Sequence, residues 1–373
     1  MTPVELLTRM LEIPSPSGDE RRLAEFLAGA MADLGFRTSI DAVGNVLGEV
    51  GAASRPRVLL LGHLDTIAGD LRVRLEDGRL HGRGAVDAKG PLAAMICAAA
   101  AAADLPARLV VVGAVEEERP ESTGARHLLR SEPVPDAIVI GEPTGVHGVG
   151  IGYRGRVGVH YQVRRPGSHS SSPTEKAVEL AVQFWLRVRD HLAAMPPGAG
   201  MFDSAAATLT RLEGDLRRAH ADITCRVPIG FDFDAFEAYL DAARGDARVQ
   251  VDERTPAVRS DRSDPVVRAL TAAIREHGGR PSLKLKSGTS DMNVVGEAWR
   301  VPIAAYGPGA SALDHTDEEH QVVDEYLHAI DVLRGALAGI AAARAEPAPA
   351  DDGLSDVEEA AVTARLRSLG YLE

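Results

Sequence analysis

The sequence predicts an α/β fold: a mixed sheet covered by helices on both faces, interrupted by a smaller inserted α+β unit. Three observations predict it. Residues 58–61, 109–112 and 137–140 are continuous apolar runs, the pattern of strands covered on both faces. After Gly150 the pattern changes to alternation, with Val157, Val159, Tyr161 and Val163 on one face of a half-exposed strand. The first style returns after Asp264-Pro265, with a helix over 266–277 and a buried-type strand over 301–305.

The elements follow in order. Val4, Leu6, Leu7, Met10 and Leu11, then Leu23, Phe26, Leu27, Met31 and Leu34, have helical spacing and predict two helices joined at Pro14–Gly18, with Gly35 as the stop. Residues 91–103 and 121–130 supply helices between the apolar strands. In the insert, the strand over 157–163 is followed by a helix over 177–192, strands over 206–212 and 221–227, a helix over 233–243 and a strand over 249–252. That order is β-α-β-β-α-β. Residues 1–157 and 263–344 then form one discontinuous α/β domain, and 158–262 form an inserted lid or dimerisation domain. Residues 345–373 read as a solvated linker and a short helix, with Ser355 and Glu358 as a capping box and Gly370 as its stop.

Composition narrows the function classes. The chain has 373 residues, 45% hydrophobic and 25% charged, an ordinary globular balance sized for two domains. Its 41 Lys+Arg against 54 Asp+Glu give a net charge of −13, which repels nucleic acid and anionic membrane. Cys97 and Cys225, far apart, cannot build a disulfide framework or a thiolate zinc site, so a reducing, cytoplasmic setting is expected. Neither a signal peptide nor an apolar run of about 20 residues is evident, so no membrane partner is expected.

The informative residues are acidic groups and histidines, each placed where a buried strand should end. His63-Leu64-Asp65 follows the first run, and Asp87 lies in a glycine-rich stretch before the alanine-rich helix. Glu116-Glu117 closes the second run, Glu142 the third, and Asp314-His315 precedes the last long helix. In open α/β sheets ligands bind at the carboxyl ends of the strands, where these groups would converge. Imidazoles with several carboxylates and no thiolate suit Zn²⁺, Mn²⁺ or Co²⁺. Any one member alone reads as a hydrogen-bonded loop residue; the series together points to a two-metal hydrolase. Gly150-Ile-Gly152-Tyr-Arg-Gly155 matches G-x-G-x-x-G, but a strand follows it instead of a helix, so it lacks the dinucleotide context.

Together these motifs resemble the M20 family of co-catalytic metallopeptidases over residues 1–344. Gly84–Pro91, Gly141–Thr144, Gly152–Arg156, Lys286–Asn293 and Leu313–Thr316 are most similar to the LysK-type hydrolases within it. The resemblance implies two divalent metal ions per subunit, zinc first, with cobalt or manganese as alternatives. His63 and Glu142 would hold one, Glu117 and His315 the other, and Asp87 both. It implies Asp65 as the group orienting His63, Glu116 as general base, and a cis peptide bond after Asp87. In the lid it implies that His169 reaches the neighbouring active site of a homodimer formed through residues 158–262. Arg226, with Gly288, Thr289 and Ser290, would hold a substrate carboxylate.

The activity implied is release of lysine or ornithine from the C-terminal glutamate of a small acidic amino-group carrier protein, in lysine or arginine biosynthesis. Two alternatives stay open: another M20 activity, such as N-acetylornithine deacetylase, aminoacylase or carboxypeptidase, and a non-catalytic, metal-poor binding relative. An acidic partner facing a chain of net charge −13 calls for a local basic rim, expected from Arg154, Arg156, Arg164, Arg165, Lys284 and Lys286.

Overall fold

The computed structural model describes residues 1–51, 56–196, 198 and 200–345. The linker and helix expected over 345–373 lie almost wholly outside them.

The chain opens with helices α1 (Pro3–Leu11) and α2 (Arg21–Asp33), then strands β1 (Arg37–Ile40), β2 (Val46–Val50) and β3 (Arg57–His63). Short strands β4 (Arg74–Glu76) and β5 (Arg79–His81) precede α3 (Lys89–Ala101), β6 (Arg108–Ala114), α4 (Thr123–Ser131), β7 (Ala137–Ile140) and β8 (Gly148–Tyr153). The inserted lid comprises β9 (Gly155–Arg164), α5 (Ala177–Ala193), β10 (Ala206–Gly214), β11 (Arg218–Val227), α6 (Phe233–Ala243) and β12 (Arg248–Thr255). The first domain then resumes with β13 (Val258–Arg259), α7 (Pro265–Glu276), β14 (Ser282–Lys286), α8 (Asp291–Trp299), β15 (Ile303–Ala305), β16 (His320–Val322) and α9 (Val323–Ala345).

The main sheet runs β1-β2-β6-β3-β7-β15-β8-β13, with β14 added beside β8. At its centre β3 pairs in parallel with β6 and β7, and β7 with β15, whereas β1, β2 and β13 join antiparallel. All seven residues of β3 are buried. Leu60 and Val58 pack into the core shared with α1, α2, α3, α7 and α9, while Leu59 and Leu61 enter the core beneath α4 and α8. Helices on both faces therefore remove the alternation from these strands, and each Leu so buried contributes about 1.5–3 kcal/mol. Helix α9 is long and apolar enough over residues 323–343 to cross a bilayer by length and composition, but Ala329, Leu333, Leu337 and Ile340 are buried in the core.

The lid sheet runs β10-β11-β9-β12, all antiparallel. Its odd-numbered residues, Val157 to Val163 on β9 and Ala219 to Val227 on β11, pack under α5 and α6, with Tyr161 stacked on Phe184 at 4.4 Å. The even-numbered side is left to face the catalytic cleft. The chain crosses between domains twice, near Arg154 and near Pro256. Asn293 joins both crossings, donating from Nδ2 to Arg154 O at 3.1 Å and Pro256 O at 2.8 Å. Arg154 is itself buried and donates to the carbonyls of Ser204 and Arg226.

Strands β1, β2, β8 and β14 and helix α8 have no counterpart in the sequence-based expectation. β1 is mostly exposed and β2 alternates, while Gly148, Gly150 and Gly152 interrupt β8 where Cβ atoms would collide with neighbouring backbone or side chains. The G-x-G-x-x-G match thus spans the end of buried β8 and the first residue of β9.

Candidate active site

The parallel strands deliver their carboxyl ends to one edge of the sheet. His63 ends β3 and is 1% exposed; its Nδ1 lies 2.8 Å from Asp65 O, which turns Nε2 toward Asp87 Oδ1 at 3.2 Å. Asp87, before α3, presents its other oxygen to His315 Nε2 at 3.1 Å. The Asp87–Ala88 peptide bond is cis. His315 Nε2 also lies 2.9 Å from Glu118 Oε1. Two donor groups result, His63–Asp87–Glu142 and Asp87–Glu118–His315, each with its ligand atoms within 4.8 Å of one another and Asp87 common to both.

The glutamates after β6 require a correction. Glu116 was expected as base and Glu117 as ligand, but the structure shifts both positions by one residue. Glu116 adopts φ 56°, a left-handed conformation that swings its side chain out of the cleft, where it accepts from Arg119 at 2.7 Å and Thr123 at 2.5 Å. Glu117 lines the cleft, and Glu118 is the residue against His315. Three consecutive glutamates offer no internal register, so the sequence could not distinguish these alternatives. Asp65 sets it: its carboxylate accepts the backbone N–H of Glu117 at 3.0 Å and of Glu118 at 3.1 Å, and the Ser17 hydroxyl at 2.7 Å. That carboxylate is 3.5 Å from His63 Nδ1, so its closer partners are the glutamate loop rather than the imidazole it was expected to orient.

Glu319 was missed. It is 1% exposed, accepts the N–H groups of Val86 and Asp87 at 3.0 and 3.1 Å, and pairs with Arg83 at 2.9 Å. Arg83 donates also to Thr316 O, so one ion pair ties the Asp87 loop to the His315 loop. Within the acidic run Asp317-Glu318-Glu319 it reads from sequence as a solvated loop.

Above these groups lies a cleft of about 690 Å³, roofed by Thr208, Thr210, Thr224 and Arg226 of the lid and bordered by Gly288, Thr289 and Ser290. Arg226 donates to Thr289 Oγ1 at 3.1 Å, so the expected carboxylate-holding residues come together. His169 does not line this cleft; it is exposed on the loop after β9, with Nδ1 2.7 Å from Ser171. Only part of the expected basic rim borders the cleft. Arg156 and Lys286 line the cleft but are engaged by Glu253 at 3.2 Å and Pro143 O at 2.7 Å. Arg154 is buried, Lys284 donates to Thr144 O at 2.6 Å, and Arg165 pairs with Asp246. Arg164 lines a separate hollow of about 840 Å³ at the distal end of the lid.

The electrostatics test whether cations fit. Burial and the neighbouring Asp87 carboxylate push Glu142 up to about 8. Burial, opposed by His63 and reinforced by Glu142 and Asp291, raises Glu117 well above the usual carboxylate range. Burial disfavours a charged His63, yet the bonds to Asp65 and Asp87 together raise its pKa. His315 rises to about 10 through its bonds to Asp87 and Glu118. The set holds protons because four carboxylates crowd two imidazoles; two dications balance that excess and leave the imidazoles neutral. The donor set fits a two-metal centre.

The family model described as peptidase family M20/M25/M40 matches residues 59–339. The chain is 43% identical over 350 residues to the [LysW]-lysine hydrolase of Deinococcus radiodurans, covering 89% of this chain and 95% of that one. It is 38% identical to a putative [LysW]-lysine/[LysW]-ornithine hydrolase of Thermococcus kodakarensis, covering 88% and 90%. In fold it is similar to a tripeptidase from Staphylococcus aureus (TM-score 0.76, 18% identity, covering 91% and 98%). A second fold match is the Bacillus subtilis YXEP protein, a dinuclear metal-binding peptidase (TM-score 0.65, 16% identity, covering 91% and 96%).

A pH dependence follows for the metal-free protein. Glu142 keeps its proton in the fold up to about 8 but has an ordinary value of 4.5, so between these the folded state binds more protons and stability falls as pH rises. His315, raised from 6.5 to about 10, acts in the same direction at higher pH. Thermal unfolding in chelator should show Tm decreasing from about pH 5 to about pH 8, with the stabilisation by added zinc growing over the same interval. A flat or rising metal-free Tm would contradict this charge balance.

Proposed function

The chain belongs to peptidase family M20/M25/M40, and from that premise we propose a metal-dependent amidohydrolase that releases lysine or ornithine from the C-terminal glutamate of an amino-group carrier protein. The observation that carries the reading is the pairing of the shared-carboxylate centre with 43% identity, over 89% of the chain, to a [LysW]-lysine hydrolase. The imidazole and carboxylate donors favour zinc, and the two separated cysteines suit the cytoplasm.

Each residue then has a definite task. His63 and Glu142 would hold one ion, Glu118 and His315 the other, and Asp87 both. Ions held by these residues would supply a water of pKa near 7 and a Lewis acid for the amide carbonyl. Glu117, coordinating neither ion, takes the proton of the attacking water and returns it to the nitrogen of the leaving amine. Arg226 and the backbone from Gly288 to Ser290 hold the carboxylate of the released amino acid, where a guanidinium fork pairs bidentately. Asp65 and Glu319 position the loops and touch no substrate.

The lid completes a homodimer through residues 158–262. What supports this is the position of His169: exposed, at the far end of β9, and outside the cleft of its own chain. In a two-fold dimer it would stabilise the oxyanion at the partner's centre.

The test of substrate is direct. The purified enzyme, incubated with carrier charged with lysine or ornithine and separately with N-acetylornithine, should release amino acid from the carrier substrates. Release from N-acetylornithine alone would assign a small-molecule deacylase. In the same assay Glu117→Gln should keep both metals and lose about 10²–10⁴-fold in turnover, with Glu116→Gln near wild type. The reverse pattern would make Glu116 the base.

Subunit mixing tests the dimer. Glu117→Gln and His169→Ala homodimers should each be inactive, and exchange should restore part of the activity, because some mixed sites receive both residues. No recovery after demonstrated exchange would remove His169 from the partner's site.

A further inference from the structure

The cleft-facing side of the lid sheet carries a second cluster, beyond the catalytic groups. Four side chains from three strands converge there: His160 on β9, His220 and Asp222 on β11, and Asp252 on β12. His160 Nδ1 and His220 Nε2 each lie 2.6 Å from the same oxygen, Asp222 Oδ1. His160 Nε2 lies 2.7 Å from Asp252 Oδ2. None of the four lines the catalytic cleft.

The arrangement follows from the backbone. Asp222 is the direct cross-strand partner of His160, and His220 lies two residues along β11 on the same face. Asp252 arrives by a register shift between Val251 and Glu253, the kind of bulge that re-aims a side chain. Gly158 makes room for it, since a Cβ there would overlap the Asp252 carboxylate.

We propose that His160, His220 and Asp222 form a separate divalent-cation site of the zinc type, with Asp252 as the outer carboxylate that orients His160. Three points carry it. The three donor atoms lie within 4.8 Å of one another, and a tetrahedral zinc with bonds of about 2.0–2.1 Å needs edges of roughly 3.3 Å. His160, His220 and Asp222 have side-chain exposures of 35%, 27% and 21%, which leaves them room to rotate by that difference. The Asp252–His160 contact is the carboxylate–imidazole pairing that fixes the ring of a metal-ligating histidine. Three protein donors leave one coordination position for water or for a donor from a docked molecule. The ion would tie β9 to β11, the two central strands of the lid. It would thereby stiffen the strand from which Arg226 projects, roughly 14 Å further along.

The experiment measures zinc bound to the full-length protein at about pH 8, where zinc competes well with protons for the imidazoles, by equilibrium dialysis and elemental analysis. Wild type should bind one more equivalent per chain than His220→Gln or Asp222→Asn. Because the result is a difference, it does not depend on how many ions the catalytic centre holds. Equal stoichiometry in all three proteins would overturn the proposal. Diethyl pyrocarbonate labelling of the wild type needs no variant. Zinc added beyond the catalytic loading should protect His160 and His220, and continued modification of both would also overturn it.

Discussion

One carboxylate placed between two imidazoles organises this molecule. Asp87 reaches His63 from one side and His315 from the other, residues more than two hundred positions apart in the chain. Such a group holds its place only if the loops around it are fixed, and most of the buried polar contacts near the site do this. Glu319 and Arg83 tie the Asp87 loop to the His315 loop. Asp65 ties the end of β3 to the glutamates after β6. The excess of negative charge that remains is what cations at this site would balance, and it is the reason the same residues are costly without them.

The sheet makes the convergence feasible. Parallel strands β3, β6 and β7 end in register at one edge, so short loops suffice to bring His63, Glu117, Glu118 and Glu142 together. The lid adds what the first domain lacks. Its helices cover one face of a four-stranded sheet, and the other face supplies threonines and Arg226 to the cleft. Asn293, at the foot of α8, secures both chain crossings, so the same short segment that contributes Ser290 to the cleft also sets the position of the lid.

Much of this was legible in the sequence because burial leaves a periodic trace. Continuous runs marked β3, β6 and β7, alternation marked β9, and the helix over Phe233–Ala243 was bounded correctly by its apolar spacing. Glycine-rich β8 and the mostly exposed β1 carry no such trace. At the site, histidines and single acids beside glycine were readable because each stood alone after a strand. The run Glu116-Glu117-Glu118 was not, since its register depends on a left-handed residue and on backbone bonds to Asp65, a residue about fifty positions away. Glu319 was hidden likewise, its partners being backbone groups over two hundred residues distant. The expected basic rim is reduced to Arg156 and Lys286 for a related reason: a count of charges near a motif does not reveal which are buried, paired with carboxylates or placed away from the cleft.

Anomalous diffraction from crystals grown with zinc distinguishes which carboxylates surround the shared position of Asp87. Two anomalous peaks about 3.5–4 Å apart are expected, both in contact with Asp87. One should be completed by His63 and Glu142 and the other by His315 and Glu118, with Glu117 facing the metals through water. A single peak, or direct coordination by Glu117 in place of Glu118, would contradict this assignment.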